Sequence, residues 1–270
     1  MAFAPMPEPL REAVLPSLQQ LCQENSVPFN SHLWLGKQGL AGDPAVEHLC
    51  NRFPSQELTR DQVVEVARDA VASPEALFAA RRLVVATYMW GYGTQGRAYL
   101  NAPRALAEDQ DRLNASVLGA SRALLQRDII AAYDAFRNPR HPKGYNWGFF
   151  TKYLYFFGLA CGWPEERPMP LIWDSRVDDT LTTYQSVFGW APEWPRGKAQ
   201  RYEYFCGSVH AWSRQLGVRS DQIELFLFKS RHANATHEAL EVAASAIRLL
   251  NGIGSSEGRS VAERGLTTTQ

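Results

Sequence analysis

The fold of this chain is decided by the stretch GYNWGFFTK at residues 144–152. It follows a loop over residues 138–144, where Pro139 and Pro142 exclude a continuous helix because proline lacks a backbone donor. An aromatic run comes next, and its length predicts a helix over Trp147–Gly158 that ends at the glycine. The stretch therefore predicts a helical hairpin whose second helix carries one lysine, Lys152.

Helical patterns also dominate the rest of the chain. The spacing of Thr59 and Gln62 is that of a capping box, and an apolar helical periodicity follows it. The glycines in residues 91–96 interrupt the next helix. Strand patterns are few and lie near the N-terminus. We therefore predict a mainly α-helical protein.

Composition narrows the class of function. The chain has 270 residues, with 28 Lys+Arg against 28 Asp+Glu, so its formal net charge is zero. This balance disfavours a protein that coats nucleic acid by bulk charge, although a local basic surface remains compatible with it. The four cysteines are far apart, so we expect no metal site and no cofactor. No signal peptide or membrane-spanning run is evident, which predicts a cytoplasmic protein without a membrane partner.

Lys152 is the most informative single residue. Between Phe149 and Ala160 the only polar side chains besides tyrosines are Thr151 and Lys152. A lysine in so apolar a helix either extends its amine to the surface or is held inside for a purpose. Burial favours the neutral amine, which is the form that attacks carbon.

A local excess of basic residues precedes this helix. No Asp or Glu occurs from residue 135 to residue 164, whereas Arg137, Arg140 and Lys143 all lie there. Basic residues just before a helix N-terminus are typical of a phosphate-binding surface. A chance gap in acidic residues is the alternative interpretation.

Asp174 is the candidate partner of the lysine. It ends a short apolar run, Leu171 to Trp173, where a loop meets a predicted helix. An aspartate in that position is typical of a helix N-cap. The same position also suits a carboxylate that must keep its charge, so the two roles are compatible.

These pieces resemble the helix-hairpin-helix DNA glycosylase superfamily, and most closely its 8-oxoguanine glycosylase branch, including the archaeal enzymes. The resemblance covers roughly residues 80–230 and rests on GFFTK at 148–152 and WDSRV at 173–177. It implies two lobes with the active-site cleft between them. It also implies Lys152 as nucleophile, Asp174 as its carboxylate partner, and Gly148 and Arg176 as contacts to the DNA backbone.

The chain departs from the family pattern in two places. The usual hairpin of the type Leu-Pro-Gly-Val-Gly is replaced by GYNWG at 144–148. From Lys152 to Asp174 the separation is 22 positions, slightly longer than in the eukaryotic 8-oxoguanine enzymes. The first departure affects the metal-assisted phosphate contact of the hairpin, and neither identifies the base.

The resemblance also indicates where the base would be held. The loop WGYGTQG at 90–96 falls where such enzymes penetrate the duplex. Gln95 is our first choice to fill the space left by the extruded base, with Tyr92 or Arg97 as alternatives. An ordinary interhelical loop is the competing interpretation. The residues expected to stack on the base are aromatic: Trp90, Tyr92, Trp147 and Phe228.

The resemblance thus implies a DNA glycosylase whose partner is double-stranded DNA with a modified base, and whose lysine would also cleave the strand through a Schiff base. We expect it to act as a monomer. An oxidised purine is the first substrate hypothesis. A bulky modified pyrimidine of phage DNA, excised in anti-phage defence, is the second. A non-catalytic DNA-binding relative and an unrelated helical adaptor are the others. We expect an N-terminal segment 1–59 packed on the second lobe, a helical domain 60–180, helices 181–253 and a disordered tail 254–270.

Overall fold

The computed structural model describes residues 3–22, 26–37, 40–94 and 97–233. Within those residues almost all of the regular secondary structure is helical, which confirms the predicted mainly α class. A π-helical turn, Arg104–Glu108, precedes the eighth helix. The α-helices are α1 Glu8–Arg11, α2 Leu18–Cys22, α3 Ser31–Gly36, α4 Pro44–Arg52, α5 Arg60–Ala72, α6 Leu77–Tyr92, α7 Ala98–Pro103, α8 Gln110–Leu125, α9 Ile129–Arg137, α10 Trp147–Ala160, α11 Ser175–Phe188, α12 Lys198–Leu216 and α13 Ser220–Ala233.

Two short strands near the N-terminus pair with each other. Strand β1, Val27–Pro28, runs antiparallel to β2, Glu57–Leu58. The pair packs on α6, and β2 leads into α5. The predicted capping box is present there, because Thr59 and Gln62 exchange side-chain and backbone hydrogen bonds. The strands thus anchor the start of α5.

Helix α10 lies at the centre of the packing. It contacts α5, α6, α8 and α9, and every residue from 148 to 158 is buried. The helix begins at Trp147 because the Asn146 side chain accepts a hydrogen bond from the Gly148 N–H. Its aromatic composition therefore reflects contact on all sides rather than one apolar face.

The predicted end of this helix at Gly158 is wrong. Helix α10 continues to Ala160, and the left-handed backbone lies beyond it at Gly162, with a φ of +66°. Gly158 instead serves close packing, because a Cβ there would lie 3.1 Å from the Cγ and Cδ atoms of Pro170. The chain after α10 therefore runs directly against the helix.

Helices α9 and α10 and the loop between them form the predicted hairpin. Gly144 in that loop has a φ of +76°, a conformation that glycine adopts without strain. A Cβ at this position would also clash with the backbone oxygen of Asn101. The loop is thus fixed against α7, immediately before Asn146 caps α10.

The first described residues lie against α12. The indole N–H of Trp212 in α12 donates to the Ala4 oxygen at 2.9 Å, and the Ala4 N–H donates to Ser208 at 3.0 Å. Helix α4, by contrast, packs on α6. The division into two lobes and the boundaries at residues 59, 180 and 253 stay predictions. The expected tail, 254–270, lies outside the described residues.

Candidate active site

Lys152 is buried in α10 and its amine is held at two points. The Lys152 side chain is 6% exposed, and its Nζ donates to Asp174 Oδ2 at 3.0 Å and to the Gly148 carbonyl at 3.0 Å. The Nζ also lies 5.4 Å from the centre of the Phe149 ring. The amine therefore does not extend into bulk solvent, and its direction is set by the helix and the carboxylate.

Asp174 is at once the N-cap of α11 and the partner of Lys152. Its Oδ1 accepts the N–H groups of Arg176 at 3.0 Å and Val177 at 3.3 Å, while Oδ2 accepts the lysine. Burial by itself would raise the pKa of Asp174, but the Lys152 charge and these hydrogen bonds outweigh it and lower that pKa. The carboxylate is thus held in its charged form.

Two glycines make room for this ion pair. A Cβ on Gly91 would lie 2.8 Å from Phe149 Cε1 and 3.3 Å from Lys152 Cε. A Cβ on Gly148 would lie 3.3 Å from Asp174 Cβ. Both helices α6 and α10 therefore approach the pair at positions without side chains, which leaves the amine and the carboxylate in contact.

The pair lines a cavity of about 560 Å³. This volume lies in the range of roughly 300–1,000 Å³ that is usual for small-molecule sites. The cavity brings together most of the residues that the sequence predicted, although their roles stay predictions. Those that line it are Trp90, Tyr92, Arg97, Trp147, Gly148, Lys152, Asp174, Arg176 and Phe228.

The aromatic side chains of the cavity have defined partners. The Arg176 guanidinium lies 4.7 Å from the centre of the Phe228 ring. The Tyr92 ring lies 4.3 Å from that of Phe149, and its hydroxyl accepts from Asn101 Nδ2 at 2.7 Å. These contacts fix the rings in place, which suits a surface that stacks on a planar ligand.

The predicted DNA-backbone residues outside the cavity form a separate surface. Arg137, Arg140 and Lys143 belong to the end of α9 and the hairpin loop, and none is among the described residues that line the cavity. The Arg140 guanidinium pairs with Asp109 at 2.9 Å, and the Lys143 N–H donates to the same carboxylate. Asp109 therefore partly neutralises the positive charge of residues 135–164, which contain no acid of their own. Their contact with DNA stays a prediction, and Gln95 lies outside the described residues.

Sequence reasoning missed two charged residues of the cavity wall, Arg60 and Glu224. Arg60 is 2% exposed and Glu224 is 1% exposed, and the guanidinium donates to Glu224 Oε2 from both terminal nitrogens at 3.3 Å. Burial raises the pKa of Glu224 to about 7, although Arg60 opposes this change. For Glu224 a sequence signal was present, because it is the only acid in the apolar run IELFLF at 223–228. Lys152 stood out in the same way.

Metal-binding clusters and membrane spans are both absent from the part of the chain that the structure describes. Its residues contain no group of three or more His, Cys, Asp and Glu side chains able to hold a metal ion. None of its helices combines the length and apolar character needed to span a membrane.

The helical hairpin thus presents a buried lysine to an aspartate N-cap, inside a cavity lined by aromatic rings. The family model described as "Putative 8-oxoguanine DNA glycosylase OGG-like protein" matches residues 20–228. The chain therefore belongs to this OGG-like family. Searches of curated proteins and of solved structures found no match.

Proposed function

We propose that this protein excises a modified base from double-stranded DNA, with Lys152 as nucleophile and Asp174 as its carboxylate partner. The observation that carries the proposal is the 3.0 Å contact between Lys152 Nζ and Asp174 Oδ2 in the wall of a cavity of about 560 Å³. Both groups can then reach one sugar carbon of a nucleotide that enters the cavity. Membership of the OGG-like family supports the same chemistry.

The attack begins with proton transfer. Lys152 loses a proton to solvent while Asp174 Oδ2 stays ionised and orients the amine, and the neutral amine then forms a bond to the sugar C1′. The bond from C1′ to the base breaks, and its electron pair leaves with the base. The carboxylate opposes the positive charge that develops at C1′ in the transition state. Asp174 suits this role because the α11 N-terminus and Lys152 favour its charged form.

Strand cleavage follows from the same intermediate. When the C1′–O4′ bond opens, the enzyme nitrogen and C1′ form a Schiff base, and O4′ takes up a proton. Loss of a C2′ proton then expels the 3′ phosphate, which breaks the strand by β-elimination. A protein that released the base with water as nucleophile would lack this step. Associated lyase activity is therefore part of the proposal and needs its own measurement.

The aromatic residues supply the binding surface for an extruded base. Phe228 and Trp147 line the same cavity as Lys152 and Asp174. The Arg176 guanidinium lies over the Phe228 ring. Stacking of a base on an aromatic ring contributes about 1–3 kcal/mol and tolerates different bases. An oxidised purine and a modified pyrimidine therefore both remain substrate hypotheses, including the anti-phage one. We expect Gln95 to enter the duplex and the protein to act as a monomer.

Borohydride trapping tests the proposal. The probes are duplexes that contain 8-oxoguanine, 5-hydroxymethylcytosine, glucosylated 5-hydroxymethylcytosine or a preformed abasic site. We expect a covalent protein–DNA adduct on the abasic duplex and on at least one modified duplex. In Lys152→Gln the adduct and strand cleavage disappear while DNA binding persists, since Gln retains the volume but not the amine.

The matched control is Lys198→Gln, at the exposed first residue of α12, which should trap as the wild type does. Base release without an adduct, retained in Lys152→Gln, would assign the attack to water. A wild type that binds every duplex but neither releases base nor forms an adduct would identify a non-catalytic DNA-binding relative.

A further inference from the structure

A second carboxylate lies in the wall of the same cavity. Glu224 and Phe228 are one turn apart on α13, and both line the cavity together with Lys152 and Asp174. Glu224 is 1% exposed. A charged residue this deep is retained only with a partner or a function, because burial of an unpaired carboxylate is costly.

The partner is Arg60, and it leaves part of the carboxylate open. Both terminal nitrogens of Arg60 donate to Glu224 Oε2, at 3.3 Å each. Oε1 has no hydrogen bond to any residue in the described part of the chain. Arg60 is itself fixed, because it donates to the Tyr155 hydroxyl at 2.8 Å and its guanidinium lies 5.4 Å from the centre of the Trp90 ring. The wall therefore offers, on a rigid support, a carboxyl oxygen to which none of the described residues donates.

The charges around Glu224 come from four elements. Burial raises its pKa most, and Arg60 of α5 opposes this. Asp174 at the start of α11 and Asp221 on α13 raise the pKa further, while Lys152 of α10 lowers it. The balance places the pKa at about 7. Glu224 can then hold or release a proton near neutral pH, which is the property of a general acid.

We propose that Glu224 is the acid that protonates the base as it leaves, an inference that rests on the proposed glycosylase function. As the bond from C1′ to the base breaks, its electron pair moves onto the base, and the carboxyl proton of Glu224 passes to a nitrogen or oxygen of that base. Glu224 becomes a carboxylate, which the Arg60 guanidinium stabilises. A proton from water restores the acid after the base departs.

The decisive comparison uses two kinds of DNA, because an abasic site has no base left to protonate. The probes are the 8-oxoguanine and 5-hydroxymethylcytosine duplexes and the preformed abasic duplex, each in single turnover. Glu224→Gln should slow base release by about 10²- to 10⁴-fold, the usual contribution of general acid catalysis. Adduct formation on the abasic duplex should stay within about threefold of the wild type, because attack on an abasic C1′ needs no general acid for a base.

Three outcomes separate the possibilities. Base release by Glu224→Gln at the wild-type rate would overturn the role of Glu224 alone. Equal losses on modified and abasic duplexes would overturn it too, since they indicate a structural role. A wild type inert on all three probes would overturn the glycosylase function itself and this inference with it.

The pH profile provides a test that does not depend on the folding of Glu224→Gln. In the wild type, base release relative to abasic trapping should fall as pH rises through about 7, where Glu224 loses its proton. Asp221→Asn removes a neighbouring negative charge, which lowers the pKa of Glu224 and moves that fall to lower pH. A ratio that is independent of pH, or a fall that stays in place in Asp221→Asn, would contradict the proposal.

Discussion

Replacing Asp174 by Asn removes one charge and keeps nearly everything else. Asp174 Oδ1 caps α11, and Asn is as good an N-cap as Asp, so the helix start should persist. The substitution eliminates the ion pair between Oδ2 and Lys152, whose side chain is 6% exposed. Breaking a buried pair costs about 3–5 kcal/mol, and we expect about 3 kcal/mol because Asp174 keeps 14% exposure.

The same substitution should slow base release by about 10²- to 10³-fold, the usual loss when one group that stabilises transition-state charge is removed. The assay is single-turnover release with saturating enzyme, at a temperature well below the melting point of the variant. Asp178→Asn is the matched control, because this neighbouring α11 carboxylate accepts from the Trp173 indole and does not line the cavity. It should leave the rate unchanged.

The pH dependence of stability gives an independent check of the Asp174 pair. Because the folded-state pKa of Asp174 is lowered, its stabilisation is present above the ordinary carboxyl pKa of about 4 and is lost as pH falls below it. The stability gap between wild type and Asp174→Asn should therefore narrow below about pH 4. A variant that releases base at the wild-type rate, with an unchanged gap, would refute the assignment of this carboxylate.

Three further predictions follow from the same geometry. Gly91→Ala would place a Cβ against Phe149 and the Lys152 side chain. When both losses are expressed as free energies, the loss in the rate of base release should exceed the loss in stability. Single-turnover kinetics and thermal unfolding measure the two quantities. Neutralising Arg137 and Lys143 together should weaken binding to all duplexes alike. The slope of log binding constant against log salt concentration should become shallower by roughly 0.9 for each phosphate that is no longer neutralised. An unchanged slope would show that these two residues do not contact DNA. The raised pKa of Glu224 means that the folded state binds more protons than the unfolded state from about pH 4.5 to about 7. As pH rises across that range, the free energy of unfolding should fall by an amount on the order of 3 kcal/mol. Urea titrations at several pH values should show that Glu224→Gln lacks this pH dependence.

Lys152 and Asp174 could be predicted because each breaks a local pattern. A lysine in an otherwise apolar aromatic helix and an acid at a loop-to-helix junction are visible in windows of about ten residues. The sequence also predicted that Asp174 could cap a helix and keep its charge, and the structure shows both contacts of this carboxylate. A charged residue in an apolar stretch can be recognised from sequence alone, because its burial is costly and therefore rare without a partner or a function.

The remaining features depend on distant contacts. Arg60 and Glu224 are 164 positions apart, so nothing in either neighbourhood reveals the pair. Arg140 looked unpaired because Asp109, its partner, precedes it by 31 positions. Gly158 matched a helix C-cap, but Pro170 returns against it and makes glycine a packing requirement. A short stretch of sequence can show that a residue type is unusual for its surroundings. Contacts between residues that are distant in sequence can be determined only from the fold.

The two oxygen atoms of each cavity carboxylate, Asp174 and Glu224, have different hydrogen-bond partners. Asp174 Oδ1 accepts from the α11 backbone and Oδ2 accepts from the Lys152 amine, so the position of that amine is tied to a helix end. In Glu224, Oε2 belongs to Arg60 and Oε1 has no partner in the described chain. In each carboxylate one oxygen is therefore held by a supporting group, whereas the other is the one to which our proposals assign a role in the reaction. If the proposed reaction takes place here, these supporting contacts, already formed in the folded chain, reduce the rearrangement that its transition state requires.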